Sequence, residues 1–151
     1  MNIVYLKKLE ENSFKNSFQN ESISIAEIQQ LEQQYNGGNL FPKALRELLY
    51  LAGKYCIVLD FGVEDSQEQL QEYVRGKMIN KGKTITRPFY VIDVYNAVDQ
   101  FLFIYLDEGD NPGVFEGHYY ENQDWITKVD DTLSMYIDDL VERVKEGRNP
   151  F

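Results

Sequence analysis

Residues 87–120 read RPFYVIDVYNAVDQFLFIYLDEGDNPGVFEGHYY, and this stretch decides the fold. Its β-branched and aromatic runs are typical of strands, and they are interrupted at residues 96–99 and again at residues 107–113. The pattern predicts a meander of three consecutive antiparallel strands, from Phe89 to Tyr120, joined by two tight turns. Side chains within the stretch form no arrangement that predicts a reaction. The rest of the chain is expected to cover this sheet with helices.

Helical patterns lie on the N-terminal side of the predicted sheet. Ser24 and Glu27 have the spacing of a capping box, which predicts a helix over residues 25–35. A second helix is predicted over residues 42–52, because proline is tolerated in a first helical turn and a glycine follows the last apolar residue. The apolar residues 55–61 that come next predict a central strand that is buried on both faces.

The remaining segments complete one domain. Asp65 and Ser66 are both able to cap a third helix, and residues 133–144 carry the apolar stripe of a C-terminal amphipathic helix. Residues 1–21 predict only a short helix followed by a loop. The sequence therefore predicts a single α+β domain over residues 1–151, with a mainly antiparallel sheet that contains the meander and is covered by these helices.

The composition limits the kind of partner. The 151 residues are enough for one hydrophobic core, and 25 Asp and Glu against 15 Lys and Arg give a formal charge of −10. Binding to nucleic acid or to an anionic membrane needs clustered cations, so neither is expected, and a cationic protein is the natural complement. No apolar run is long enough to span a membrane and no secretion signal precedes the domain, which predicts a cytoplasmic protein.

Charged residues are segregated along the chain. Residues 75–87 carry five Lys and Arg and no acid, whereas residues 88–127 carry eight Asp and Glu and no Lys or Arg. The acidic part contains the predicted meander and both of its turns. This segregation is the clearest electrostatic feature of the sequence.

Few residues are candidates for chemistry. His118 is the only histidine, and no activated Ser or Cys accompanies it, so a structural or surface role is favoured over catalysis. The acidic turn at residues 107–113 lacks the alternating oxygen ligands of an EF-hand loop and the lysine of a phosphate-binding loop. A solvated turn is the favoured interpretation there. The sequence predicts no metal, no cofactor and no catalytic residue, and the chain is not expected to be an enzyme.

A set of motifs follows one another in an order typical of a known family. The motifs are the helix over residues 25–35, the segment LFPKALRELL at residues 40–49, the turn GDNPG at residues 109–113, Trp125 and the helix over residues 133–144. Over about residues 24–144 the chain resembles the SUKH superfamily of cell-wall-synthesis-regulator-like domains. Bacterial members are often immunity proteins of polymorphic toxin systems. Phe41 stands where the family has leucine before the proline, which places the chain in a divergent subgroup.

The resemblance implies a non-catalytic protein that binds and neutralises a cognate toxin domain. No catalytic residue of the family exists to be carried over to this chain. The negative net charge of the chain is complementary to a basic toxin, for example a nuclease, which must itself bind polyanions. The alternative is an intracellular regulatory or scaffold domain that binds a cellular protein, as eukaryotic relatives are thought to do. Under either hypothesis the partner is a protein, and the sequence predicts no oligomeric state.

The candidate partner surface lies at the second turn of the meander and along the strand after it. Its acidic and aromatic residues are Asp107, Glu108, Asp110, Glu116, His118 and Tyr120. The turn carboxylates are expected to project into water, and the polar side of the strand is expected to be exposed. Carboxylates around an aromatic anchor would steer a cationic toxin. The alternative, which the sequence leaves open, is ordinary solvated surface.

Overall fold

A computed structural model describes residues 1–121 and 123–150 of the chain. Within these residues, five α-helices and two antiparallel sheets form one α+β domain, as the sequence predicts. In chain order the elements are α1 (Lys7–Glu11), β1 (Phe14–Lys15), β2 (Phe18–Gln19), α2 (Ile25–Tyr35), α3 (Lys43–Ala52), α4 (Gln67–Asn80), β3 (Phe89–Tyr95), β4 (Gln100–Tyr105), β5 (Val114–His118), β6 (Ile126–Asp130) and α5 (Leu133–Lys145). None of the helices in this part of the chain has the length and apolarity that crossing a membrane requires.

The predicted meander is confirmed, and it is one strand longer than expected. β3, β4 and β5 pair in antiparallel order, and the two turns fall where the strand-forming runs are interrupted. β6 pairs antiparallel with β5, so the larger sheet has the order β3-β4-β5-β6. The sequence of β6, ITKVD, is short and largely exposed, so it carries little of the apolar pattern of the buried strands.

Both faces of the larger sheet are buried, because helices cover each of them. Successive strand side chains point to opposite faces, so β3 and β4 contribute to both cores. One face contributes Tyr90, Ile92 and Leu102 to a core shared with α1, α2, α3 and α5. The other face contributes Phe101 and Phe103 to a core shared with α4. The sheet is therefore the central layer of the domain, and the C-terminal helix covers it as predicted.

The predicted central strand over residues 55–61 is wrong, although its burial is largely confirmed. Residues 56–59 are buried, but the segment is irregular and Tyr55 forms only an isolated bridge. A side chain replaces part of the missing ladder, since Asn20 accepts a hydrogen bond from the N–H of Ile57 at 2.8 Å. An apolar run predicts burial in either case, and its pattern does not separate a buried strand from a buried irregular segment.

Helix starts follow the predicted caps. Ser24 and Glu27 form both hydrogen bonds of the capping box at the start of α2. Ser66 rather than Asp65 caps α4, and its hydroxyl accepts a hydrogen bond from the N–H of Gln69. The N-terminal segment contains the predicted short helix, α1, but the loop expected after it includes the β1–β2 hairpin.

Side chains of α4 close the outer edge of β3. The side-chain amide of Gln71 donates to the carbonyl oxygen of Val91 at 2.8 Å and accepts from the N–H of Val91 at 2.9 Å. Arg75 donates to the carbonyl oxygen of Phe89 at 2.8 Å. An edge strand with free N–H and C=O groups invites pairing with another chain, and these bonds satisfy such groups. At the other edge, β6 pairs with no further strand in the described part of the chain.

Two glycines are expected to respond oppositely to alanine. In β5, Gly117 pairs with Phe101 of the neighbouring strand, and a Cβ at Gly117 would overlap the Phe101 ring. Gly117→Ala is therefore expected to lower the free energy of unfolding by about 1–3 kcal/mol through overpacking. Gly76 in α4 has open space around it, so Gly76→Ala is expected to raise stability by about 0.5–1 kcal/mol. Urea denaturation measures both, and equal shifts would contradict the packing of Phe101 on Gly117.

Candidate interaction surface

An arginine holds two of the carboxylates at the second turn of the meander. Arg87 forms ion pairs with Asp107 and Glu108, and its guanidinium carbon lies 3.7 Å from the centre of the Tyr105 ring. The hydrogen bond from Arg87 lowers the pKa of Asp107 below its ordinary value. These two carboxylates therefore have part of their charge neutralised within the molecule.

Asp110 is the exposed carboxylate of this turn whose charge is not paired with Arg87. Its backbone carbonyl accepts a hydrogen bond from the N–H of Ala44 at 2.9 Å, which ties the turn to the start of α3. The amide of Asn111 donates to the hydroxyl of Ser134 and accepts from the N–H of Ser134, which ties the turn to α5. The turn is thus fixed between two helices, and Asp110 is exposed on a well-supported backbone.

The other three predicted residues lie along β5 and beyond its end. Glu116 is half-buried and accepts a hydrogen bond from the side chain of Gln100 at 3.1 Å. His118 is only 4% exposed, and its ring centre lies 5.3 Å from that of Tyr120, which is 45% exposed. The exposed polar face expected for this strand is therefore wrong at His118. The physical reason is that both faces of the sheet are covered, and Tyr120 stacks on the histidine.

The predicted residues form two groups. The turn carboxylates precede β5, whereas His118 and Tyr120 lie at its far end, where Tyr120 accepts a hydrogen bond from the side chain of Asn96 at 3.4 Å. Glu116 lies between them. The two ends of a five-residue strand are about 13 Å apart. A partner that contacts both groups must therefore span at least this distance.

A groove, named here the turn groove, opens beside Asp110. It has a volume of about 580 Å³ and lies between the N-terminal segment, the start of α3 and the turn. Val4 and Leu40 line it and are 49% and 66% exposed. The two cations of its lining, Lys43 and Arg46, each form an ion pair with a buried glutamate. The turn groove therefore combines exposed apolar side chains with one exposed carboxylate.

The apolar part of the turn groove is absent from the sequence-based candidate surface. An apolar residue is expected to be buried unless a pattern indicates otherwise, and Val4 and Leu40 have no such pattern. The one indication in the sequence that Leu40 is exposed is its position directly before Phe41, at the start of a helix. Phe41 is buried at 3% exposure, and its neighbour Leu40 faces outward.

The cations of residues 75–87 contact side chains of residues 88–127. The Arg75 guanidinium lies 4.0 Å from the centre of the Phe89 ring, within the range of a cation–π interaction, and Lys77 forms an ion pair with Asp99 at 2.7 Å. The other three also meet aromatic or acidic side chains: Lys81 meets Tyr119, Lys83 meets Trp125, and Arg87 meets Tyr105, Asp107 and Glu108. The basic segment of the sequence, residues 75–87, therefore packs against the acidic segment, residues 88–127, within the molecule.

No group of three or more His, Cys, Asp or Glu side chains in residues 1–121 and 123–150 is arranged to hold a metal ion. Comparison of the chain with protein-family models, with curated proteins and with solved structures found no match. The functional hypothesis therefore rests on the resemblance seen in the sequence and on the contacts, burial and charges of the chain's own residues.

Proposed function

We propose that this protein is a non-catalytic binding protein of the SUKH type that acts in the cytoplasm and neutralises a cationic toxin domain by covering its functional surface. The observation that carries the proposal is that all five cations of residues 75–87 contact aromatic or acidic side chains of the same molecule. With those cations engaged within the molecule, exposed carboxylates that form no ion pair with the described residues, such as Asp110, carry the negative charge of a chain of formal charge −10. A surface of one sign attracts a partner of the opposite sign and raises the association rate.

The meeting of distant motifs supports the SUKH resemblance. In the GDNPG turn, the carbonyl of Asp110 accepts a hydrogen bond from the N–H of Ala44, in the helix that follows Pro42. The carbonyl of Pro112 accepts one from the N–H of Leu133 at 2.7 Å. Three of the segments that carry the resemblance are thus joined by backbone hydrogen bonds. The turn is the element through which they meet.

The turn groove is the proposed centre of the contact with the toxin. Val4 and Leu40 supply apolar area that a partner can desolvate, and Asp110 supplies an exposed carboxylate at its edge. The buried core of a protein interface is typically more apolar than its rim, which is polar. Asp107 and Glu108 add negative potential at the rim even though Arg87 offsets part of it.

The proposal expects a toxin domain to be encoded immediately upstream of this protein's gene, and the test uses that domain. We expect cells that produce the toxin alone to stop growing, cells that also produce this protein to grow, and the two purified proteins to form a complex. The variant Asp107→Asn/Glu108→Gln/Asp110→Asn is expected to associate about tenfold more slowly at low salt, because less negative potential steers the toxin. Its association rate should also depend less on salt.

A matched control is Glu10→Gln/Glu11→Gln/Asp139→Asn, which removes the same number of charges at exposed positions of α1 and α5. This control is expected to associate faster than the turn variant. Equal rates for the two variants would move the contact away from the turn. A wild-type protein that neither protects cells nor binds the toxin would overturn the proposed function, and its stable association with a cellular protein would then favour the scaffold role.

A further inference from the structure

A cleft of about 260 Å³ opens between three segments that are separate in sequence: the loop at residues 60–64, α4 and the turn Asn96–Val98. We name it the loop cleft. Most of its lining residues are apolar, and two of them remain largely exposed, Val63 at 92% and Tyr73 at 46%. Exposed apolar side chains around a concave apolar surface are typical of contact sites for other molecules.

A buried carboxylate holds the loop wall of this cleft in place. Oδ1 of Asp93 accepts a hydrogen bond from the N–H of Asp60 at 2.9 Å, and the carbonyl of Asp60 accepts one from the N–H of Val94 at 3.0 Å. Gly62 turns the loop with a φ of 73°, and its N–H donates to the carboxylate of Asp60 at 2.7 Å. The wall is therefore ordered before a partner arrives, which lowers the entropic cost of binding.

The opposite wall is a left-handed turn. Asn96, Ala97 and Val98 have φ values of 50°, 52° and 68°. Such values are uncommon outside glycine and rare for a β-branched residue such as valine. The ammonium of Lys77 donates to the carbonyl of Ala97 at 2.8 Å, and Val98 is buried in the core shared with α4. Backbone held in this conformation by its surroundings is concentrated at binding and active sites.

Carboxylates at the loop cleft are available to an incoming cation. Residues 55–74 carry five acids and no Lys or Arg. Asp60 and Glu64 line the cleft, and neither forms an ion pair with another residue in the described ranges. The nearby Lys77 is engaged by Asp99. An apolar cleft edged by such carboxylates fits a side chain with an apolar stem and a cationic end.

We propose that the loop cleft is a docking site for a protein segment that presents a lysine or arginine between aliphatic side chains. The aliphatic side chains pack on Val63 and Tyr73, and the cationic group reaches Asp60 and Glu64. The cleft has no lining residue in common with the turn groove. The two proposals have in common only that each partner is positively charged.

Titration of the ¹⁵N-labelled full chain with a short peptide tests this docking site. The probe is acetyl-Leu-Lys-Leu-Arg-Leu-amide, and the control peptide is acetyl-Leu-Glu-Leu-Asp-Leu-amide, which keeps the aliphatic side chains and reverses the charge. With the cationic peptide we expect saturable changes in amide chemical shift centred on Val63, Tyr73 and Ala97. The acidic peptide is expected to leave these signals in place.

A double substitution at the cleft supplies the second arm of the test. Val63→Ser/Glu64→Gln is expected to bind the cationic peptide about tenfold more weakly. Ile79→Ser/Glu10→Gln removes another exposed apolar side chain and another acid, and it is expected to bind like the wild type. Shifts that do not saturate, that the acidic peptide reproduces or that centre on Leu40 in the turn groove would overturn the proposal. The toxin experiment is independent of this titration, so either hypothesis can fail alone.

Discussion

Glu47→Ala is expected to lower the free energy of unfolding by about 3–5 kcal/mol. Glu47 is fully buried, and its carboxylate accepts hydrogen bonds from the N–H groups of Val4, Tyr5 and Leu6 at 2.7, 2.8 and 2.9 Å. The ammonium of Lys43 lies 3.4 Å from the same carboxylate. Alanine leaves three donors without an acceptor and an ammonium without its counter-charge, and unsatisfied groups of this kind are strongly unfavourable.

Urea denaturation measures the effect of this substitution, and hydrogen exchange locates it. The amides of residues 4–6 are expected to lose protection before those of the sheet, because Glu47 fastens the N-terminal segment to α3. Glu47→Gln keeps one acceptor oxygen and is expected to lose less stability than Glu47→Ala. Glu10→Ala, at an exposed position, is expected to change stability by about 0.5 kcal/mol or less. Equal stabilities of Glu47→Ala and Glu10→Ala would contradict the anchoring role.

The wild-type protein is expected to lose stability relative to Asp93→Asn as the pH rises from about 4 to about 7. Burial raises the pKa of Asp93 from 3.8 to about 7, although the hydroxyl of Tyr95 donates to it at 2.7 Å. The folded state therefore keeps a proton in a range where the unfolded state has released it. This contribution is full below pH 3.8 and is lost as the pH rises through about 7. The rise in pKa corresponds to about 4 kcal/mol.

Asparagine is the appropriate substitution because its amide oxygen can still accept the N–H groups of Asp60 and Val94 while the side chain stays neutral. The stability of Asp93→Asn minus that of the wild type is expected to rise between pH 4 and pH 7 and then level off. Asp99→Asn is the control, since the hydrogen bond from Lys77 lowers the pKa of Asp99. Its difference should fall as the pH rises through the acidic range. A flat difference for Asp93→Asn would contradict a neutral buried carboxyl group.

Most of the fold could be predicted because it depends on contacts that are close in sequence. The capping box at Ser24, the strand run of residues 89–95 and the stripe of residues 133–144 each follow from a local spacing rule. Residues 55–61 do not form the expected strand. The N–H of Ile57 is bound by the side chain of Asn20, which is far away in the chain, and not by the backbone of a neighbouring strand. No local pattern indicates that a side chain will take the place of a neighbouring strand.

The net charge of the candidate surface could also be predicted only in part from the sequence. Asp107 and Glu108 carry the charge that the sequence predicts, but Arg87, which lies just before the neighbouring strand β3, offsets part of it. Two blocks of opposite charge in a sequence either contact each other or face separate partners, and tertiary packing decides between these outcomes. His118 is similar, because alternation predicts its face of the strand while the stacking of Tyr120 decides its burial.

Gln71 limits how molecules of this protein can join through their four-stranded sheets. Its amide occupies both backbone groups of Val91, while Arg75 occupies the carbonyl of Phe89 and Asp60 accepts the N–H of Val94, so the sheet can extend only on the β6 side. A sheet that is open on two sides can add molecules without end and grow into a filament. A sheet that is open on one side stops at two molecules, because the second one presents its own closed side outward. The bonds that Gln71 and Arg75 make along the outer edge of β3 thus make any such assembly self-terminating.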